Sequence, residues 1–363
     1  MTLSNVDIAQ LRLHHQGLSK FRFTDPSDVV IRLGAVQAQD YAGAKWALGQ
    51  RIPDTTDAAV DEAFNAGRIL RTHVMRPTWH FVSPADIRWM LELTAPRVHA
   101  ANAFMYRQLE LDEVIRQKSY RVLEKALQGN KHLTRAELAS ALETAGINTE
   151  GLRLGYFMMS AELDRVICSG ARRGKQFTYT VLEERVPRAK VLPRDEALAE
   201  LTRRYFGTRG PASLQDFTWW SGLTMAEAKR GMEMVKSQFR KEEIGDQTYW
   251  LPESGLPEKV KSPTAYLLPN YDEYFIGFKD RSAIGERIRQ SERDGNRLAL
   301  NAHILFIDGQ IVGGWRRTLK KEGVIVELDI ITKPTKAEKR AVAKAADWYS
   351  KFLSLPVELV GVG

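Results

Sequence analysis

Leu133-Thr134-Arg135-Ala136-Glu137-Leu138 and, about 80 residues later, Ala212-Ser213-Leu214-Gln215-Asp216-Phe217 carry one signal twice. A hydroxyl residue followed three positions on by a carboxylate is a capping box: each side chain satisfies the other residue's backbone N–H at a helix start. Both stretches open a short helix that breaks at a glycine, Gly146 in the first and Gly222 in the second. A longer helix then spans about residues 151–168 and 225–239. The first copy continues through a basic turn at 170–174 into Gln176-Phe177-Thr178-Tyr179-Thr180. The second continues into strands around Ile244 and Thr248-Tyr249-Trp250. Cap, short helix, turn, longer helix and β-hairpin form the order of a winged helix-turn-helix. The period exceeds that of most solenoid repeats, which points to tandem domains. Residues 26–82 follow the same order less cleanly, giving three such units.

Towards the N-terminus, residues 5–16 read as an amphipathic helix through Ile8, Leu11 and Leu13. Asp25 can cap a helix starting at Pro26, with Asp28 in its first turn. Val29, Val30, Leu33 and Val36 repeat at helical spacing, and Gln37 lies four residues after Leu33, beside the buried face. Gln39 stands about 200° further round a regular helix. The two amides therefore face one cavity only if the helix ends or distorts near Ala38. Otherwise one is half-buried and the other solvated at a helix end. Residues 56–66 form a further helix, 68–75 and 78–82 two strands around Arg76-Pro77, and Ser83-Pro84 starts a long helix. His80, on the second strand, reads either as a satisfied structural histidine or as a site residue.

The last third changes character. Residues 265–268, 274–278, 303–307, 311–315 and 324–330 are strand-like, with Asp308-Gly309 a hairpin turn. An Arg-rich loop or short helix at 279–296 interrupts them. A final helix at about 336–352 carries Lys336, Lys339, Arg340 and Lys344, a face that suits solvent. The expected fold class is α+β. Winged helix-turn-helix units occupy 1–115, 116–190 and 191–260, and a β-rich C-terminal region occupies 261–363.

A net charge of +8 and a pI near 9.4 favour a polyanionic partner. The single Cys168 excludes an internal disulfide and a Cys-based zinc cluster, which fits a reducing cytoplasm. No apolar run reaches membrane-spanning length and Met1-Thr2-Leu3-Ser4-Asn5 does not open a secretory signal, so a cytoplasmic protein without membrane association is expected. Histidine spacing suits no zinc site, and there is no Gly-x-Ser-x-Gly elbow; neither metal nor cofactor is expected. Gly170-Ala171-Arg172-Arg173-Gly174-Lys175 is one residue short of a phosphate loop and runs into Gln176. Its place before a strand suits a wing whose Arg172, Arg173 and Lys175 reach phosphates. A second basic turn, Arg316-Arg317-Thr318-Leu319-Lys320-Lys321, offers Arg316, Arg317 and Lys320 for the same purpose.

The chain resembles the AlkZ/YcaQ group of bacterial winged-helix DNA glycosylases over nearly its whole length. The resemblance rests on Val36-Gln37-Ala38-Gln39, on the stretch from Arg71 to His80, and on Arg172-Arg173-Gly174-Lys175-Gln176. It extends through Gly210-Pro211-Ala212, Trp219-Trp220-Ser221-Gly222, Leu268-Pro269-Asn270-Tyr271-Asp272-Glu273-Tyr274 and Lys279-Asp280-Arg281. It implies three winged helices wrapped around DNA and a C-terminal hairpin facing it. It also implies that Gln37 and Gln39 are catalytic, releasing N-alkylated purines and, in one branch, unhooking interstrand crosslinks. Arg71, His73, Trp79, His80 and Asp40 are expected to support the pair. The sister branch has Asp where this chain has Gln39, and the family's usual Gly after Arg76 is Pro77 here.

Amide chemistry agrees with such a role. Glutamine has a carbonyl acceptor, two N–H donors and no useful pKa, so it can hold a water and present a dipole but cannot be a strong base. That suffices when the leaving group is already activated, as in a purine alkylated at N7 or N3. The motif places no lysine for Schiff-base chemistry, so a monofunctional enzyme is expected, a monomer acting on double-stranded DNA. The competing reading is a non-catalytic winged-helix regulator, which would insert a helix in the major groove with base-specific contacts. A structure-specific RNA binder is a third.

Overall fold

The computed structural model describes residues 3–20, 23–186, 191–253, 262–289 and 303–361. Both capping boxes form. Thr134 Oγ1 accepts from the Glu137 N–H at 3.3 Å and Ser213 Oγ from the Asp216 N–H at 3.1 Å. The carboxylates return to the cap N–H groups at 2.7 and 3.0 Å. They start helices Arg135–Thr144 and Leu214–Ser221, followed by helices Arg153–Leu163 and Met225–Val235. Strands Ile167–Ser169 and Thr178–Val181 then pair, with Leu133–Thr134 on the other side of the latter. In the later copy, Phe239–Ile244 pairs with Gln247–Pro252. Nearer the N-terminus, helices Pro26–Leu33, Tyr41–Gly49 and Asp57–Asn65 precede the hairpin Leu70–His73/Trp79–Val82, whose second strand also pairs with Val36–Gln37.

Several boundaries differ from the sequence reading. The second helix stops at Leu33, because Gly34 takes φ +80° and turns the chain into a strand. The long helix starts at Ile87, with Ser83 Oγ donating to Asp86 at 2.6 Å in the preceding turn. The helix expected to reach Cys168 ends at Leu163. Arg165 adopts φ +64°, and Ile167-Cys168-Ser169 becomes a strand. Residues 274–278, strand-like by composition, instead contain the helical turn Glu273–Ile276, started by Asp272 accepting from the Tyr274 N–H at 2.8 Å. The Gln310–Leu319 strand outruns Trp315, so Arg316 and Arg317 lie on a strand and not in a turn. Part of the 279–296 loop lies outside the described residues. Its described part holds Ser282–Ile284 and Glu286–Arg289 as short helical turns.

The C-terminal region is a five-stranded sheet in the order Val357–Val360, Val324–Ile330, Gln310–Leu319, His303–Ile307, Ala265–Leu268. Only its first pair is parallel, and helix Lys336–Leu353 makes that crossover. The helix buries Val342, Ala345, Ala346, Tyr349 and Phe352. These side chains share one core with Trp315 and Val326 of the sheet and with Val29, Leu33, Trp46, Phe64 and Phe81 of the N-terminal elements. A second core joins Leu70, Val82 and Ile87 to Leu201, Phe206, Phe217 and Trp220. Residues around Leu123, Leu138, Phe157 and Val181 form a third.

A buried ion pair locks the turn at 272–276 against the N-terminal elements. The Arg51 guanidinium donates to both Asp272 carboxylate oxygens, at 2.8 and 2.9 Å. Its other N–H groups reach the carbonyls of Ala47 and Gln16 and the Gln16 side chain. Neither charged side chain is more than 1% exposed. Removing one partner leaves the other charge unpaired in the interior. Asp272→Ala is therefore expected to lower unfolding stability by about 3–5 kcal/mol in denaturant titration, and a loss below about 1 kcal/mol would show the pair to be dispensable.

Candidate active site

The segment from Leu33 to Gln37 is held by one buried salt bridge. Arg209 donates to the Leu33 carbonyl at 3.0 Å and the Ala35 carbonyl at 3.2 Å, satisfying groups left open where the helix ends. Of its other N–H groups, two meet Glu273 Oε2 at 2.6 and 3.2 Å and one donates to Thr208 Oγ1 at 3.0 Å. The same oxygen accepts from Trp220 Nε1 at 2.8 Å. Glu273 Oε1 accepts from the Gln37 backbone N–H at 2.9 Å. A carboxylate thus closes the free edge of the short strand, whose other edge places Val36 opposite Phe81 and Gln37 opposite His80. The Ala38 N–H continues the ladder to the Trp79 carbonyl at 2.7 Å. The helix thus ends before Gln37, which lies on the strand, and Gln39 follows two residues on in a bend.

Gln37 is 6% exposed, and its Oε1 accepts from the Arg76 guanidinium at 2.8 Å. Arg76 sits in the tight turn between the hairpin strands, after Met75 at φ +65°. The Met75 carbonyl lies against Gly222, where an added Cβ would come within 2.7 Å of it. The Trp219 ring lies 6.0 Å from the guanidinium. Burial pulls the Arg76 pKa down, and the Glu273 charge opposes that shift. Gln39 is exposed, and its Oε1 accepts from the Trp79 backbone N–H at 3.4 Å. Each amide carbonyl thus takes one bond from the scaffold and keeps one lone pair.

The supporting residues divide between the two faces of the sheet. His80 and Thr72 lie in register with Gln37 on one face. His80 is fully buried, and its Nδ1 donates to the Thr78 carbonyl at 2.9 Å. Among the described residues the Nε2 lone pair has no hydrogen-bond partner, and neither do Thr78 Oγ1 and Arg76 Nε. Burial, then Arg76, hold the His80 pKa well below its ordinary value, so the ring is neutral at pH 7. Arg71, His73 and Trp79 occupy the opposite face. Arg71 donates to the Ala38 carbonyl at 3.0 Å, between the rings of Trp79 and Phe177 at 4.3 and 4.6 Å. His73 stacks on Trp79 at 4.4 Å and meets the buried Glu162 carboxylate through Nδ1. Asp40 pairs with Arg317 at 2.8 Å, and Arg317 also donates to the Tyr349 hydroxyl at 3.2 Å. Nearby, burial and then Arg317 push His303 down to about 4.

The basic residues are not equivalent. Arg172 bridges elements inside the protein: it pairs with Asp61 at 3.2 Å and lies over the rings of Tyr41 and Phe177. Arg317 is committed to Asp40. Arg173 is half exposed and pairs with Glu137 at 2.8 Å. Lys175, Arg316 and Lys320 are exposed. Sequence reasoning did not single out Arg76, Arg209 or Glu273 as site residues. Arg76 and Glu273 lie within quoted motifs, yet neither local spacing nor charge shows that a lone glutamate will be buried under a strand 236 positions away. Among the described residues no cluster of three or more His, Cys, Asp or Glu side chains could hold a metal ion. The buried Cys168 thiol is pushed up to about 12.

A family model described as DNA glycosylase AlkZ-like matches residues 30–352. A Streptomyces sahachiroi protein named interstrand DNA cross-link repair glycosylase is 25% identical, with 93% of this chain and 92% of that protein covered. The solved structure of the Streptomyces sahachiroi DNA glycosylase AlkZ superposes with a TM-score of 0.79, covering 99% of this chain and all of the other at 22% identity. The helix end, edge strand and hairpin described above, with the two glutamines they present, thus lie within a family match spanning most of the sequence, and the chain belongs to the AlkZ-like DNA glycosylase family.

Proposed function

We propose that this protein hydrolyses the N-glycosidic bond of purines carrying a positive charge from N7 or N3 alkylation in double-stranded DNA, with Gln37 and Gln39 as the catalytic pair. The observation that carries the reading is the backbone change at Gly34, which ends the helix and brings both amides against the hairpin with each carbonyl already held by one donor. A water donating one hydrogen to each remaining carbonyl lone pair has its own lone pair free for the sugar. The bond from C1′ to the purine breaks first, its electron pair neutralising the cationic base. The water oxygen then bonds to the oxocarbenium-like C1′ and loses a proton to solvent, leaving an abasic site. The amide dipoles oppose the positive charge developing on the sugar. No general acid is required, which agrees with neutral His80 and His303. Asp40, paired with Arg317, is then a brace and not the charged member of the pair.

The repeated order of helices and hairpins supports three tandem winged-helix units, roughly 1–115, 116–190 and 191–260, against the C-terminal region at 261–363. Packing makes them one framework, since the first unit shares cores with the third and with the C-terminal sheet. The relative named for cross-link repair supports unhooking of interstrand crosslinks as a further activity. Arg173, Lys175, Arg316 and Lys320 are the phosphate contacts in this reading, while Arg172 and Arg317 orient the elements that carry them. Arg71, His73, Trp79 and His80 fix the hairpin behind the glutamines.

Gln37→Ala and Gln39→Ala are each expected to slow base release from an N7-methylguanine duplex by roughly 10²-fold or more, the scale for loss of one transition-state dipole. Affinity for the duplex should hardly change. A variant that binds and releases base at the wild-type rate would remove that residue from the catalytic pair. For the interface, Arg316→Ala and Lys320→Ala are each expected to reduce the slope of log affinity against log salt by roughly 0.9. Arg172→Ala should instead lower melting temperature, because it uncovers Asp61 and two rings. A full-sized slope change in Arg172→Ala at unchanged melting temperature would put that residue on DNA.

A further inference from the structure

Arg76 is a costly residue in its surroundings. Its side chain is part-buried, its Nε is buried without a hydrogen-bond partner among the described residues, and Glu273 is already engaged by Arg209, Trp220 and the Gln37 backbone. Among the described residues the bond to Gln37 Oε1 is the hydrogen bond its side chain makes. A part-buried cation with one amide partner contributes little to stability. Much of the fold nevertheless converges on it: the strained turn at Met75, the close approach of Gly222 and the Trp219 ring.

We propose that Arg76 is a positioning residue that determines which end of the Gln37 amide faces the reacting sugar. The proposal rests on the reading of Gln37 as catalytic. The two ends of a carboxamide are nearly the same size, and rotation about the last side-chain bond exchanges them at little steric cost. A neighbour able both to donate and to accept would tolerate either orientation. Guanidinium donates only, so it accepts the carbonyl and rejects the NH2 group. With Oε1 turned to Arg76, one lone pair stays available for the water. The Nε2 hydrogens point the other way, where they cannot compete for it. Flipping the amide would set a donor against the water's own hydrogens and a donor against Arg76. The buried Thr78 Oγ1, near the same turn, offers the amide no comparable preference, because a hydroxyl can donate or accept, and among the described residues His80 Nε2, an acceptor, makes no hydrogen bond to it.

The test is a double-mutant cycle on a duplex carrying one N7-methylguanine. Single-turnover rate, duplex affinity and melting temperature are measured for wild type, Arg76→Met, Gln37→Ala and the double variant. Arg76→Met is expected to slow release by about 10²-fold, as for a misplaced catalytic group. Its affinity and melting temperature should stay near wild type, and Arg76→Lys, which also only donates, should recover part of the rate. The double variant should be no slower than Gln37→Ala alone, because Arg76 acts through that amide. Rate losses that multiply in the double variant would overturn the proposal, as would weaker, less salt-dependent binding by Arg76→Met, which would mark a phosphate contact. A cycle with Arg76→Lys replaces the first if Arg76→Met does not fold. If wild type is active and Gln37→Ala matches it, the catalytic reading fails and takes the proposal with it. If only the coupling is absent, that reading stands and the positioning role falls.

Discussion

The salt bridge between Arg209 and Glu273 is the interaction on which the site depends. It joins the helix Arg194–Arg209, the turn Glu273–Ile276 and the strand Val36–Gln37, elements from three distant parts of the sequence. Arg209 takes the carbonyls that helix Pro26–Leu33 leaves open, and Glu273 takes the N–H that the edge strand leaves open. Every polar group in the exchange is satisfied. That is the condition under which a buried ion pair is tolerated, since its desolvation cost rivals its attraction. Its value here lies in geometry: it holds a two-residue strand that local pairing alone would hold weakly.

Much of the scaffold was legible. The capping boxes at Thr134 and Ser213 form as read because their logic is local, a hydroxyl and a carboxylate three residues apart. Asp25-Pro26 likewise starts its helix, with the Asp25 carboxylate accepting from Ser27 at 2.8 Å. The misreadings occur where distant partners override local preference. Val36 continued the helical spacing of Leu33, but Gly34 and Arg209 end the helix before it. Tyr274-Phe275-Ile276 has strand composition, yet the Asp272 carboxylate, held by Arg51, caps it as a helical turn. Arg172 and Arg317, expected at phosphates, pair with Asp61 and Asp40, and local spacing does not show these carboxylates as their partners.

The condition imposed by the glutamines, that the helix end or distort near Ala38, was visible from spacing, and the chain meets it four residues earlier. The surroundings supply what spacing could not: a donor for each carbonyl, and an arginine behind Gln37 whose own charge is shielded by Glu273. Two neighbouring histidines are held neutral by burial, one beside Arg76 and one beside Arg317. A site so built is rich in fixed dipoles, and neither of these two histidines carries a proton to donate as an acid at neutral pH. It suits bond breaking in which the leaving group departs neutral without being protonated.

That lack of an acid is the central claim, and leaving-group dependence tests it most directly. Base release would be measured under single-turnover conditions from matched duplexes carrying N7-methylguanine, a bulky N7-guanine adduct or uracil. The account predicts efficient release of both cationic guanines, since each departs as a neutral base, and no detectable release of uracil. Uracil released at a rate comparable to N7-methylguanine would contradict it, because that reaction demands leaving-group activation that two neutral amides do not provide.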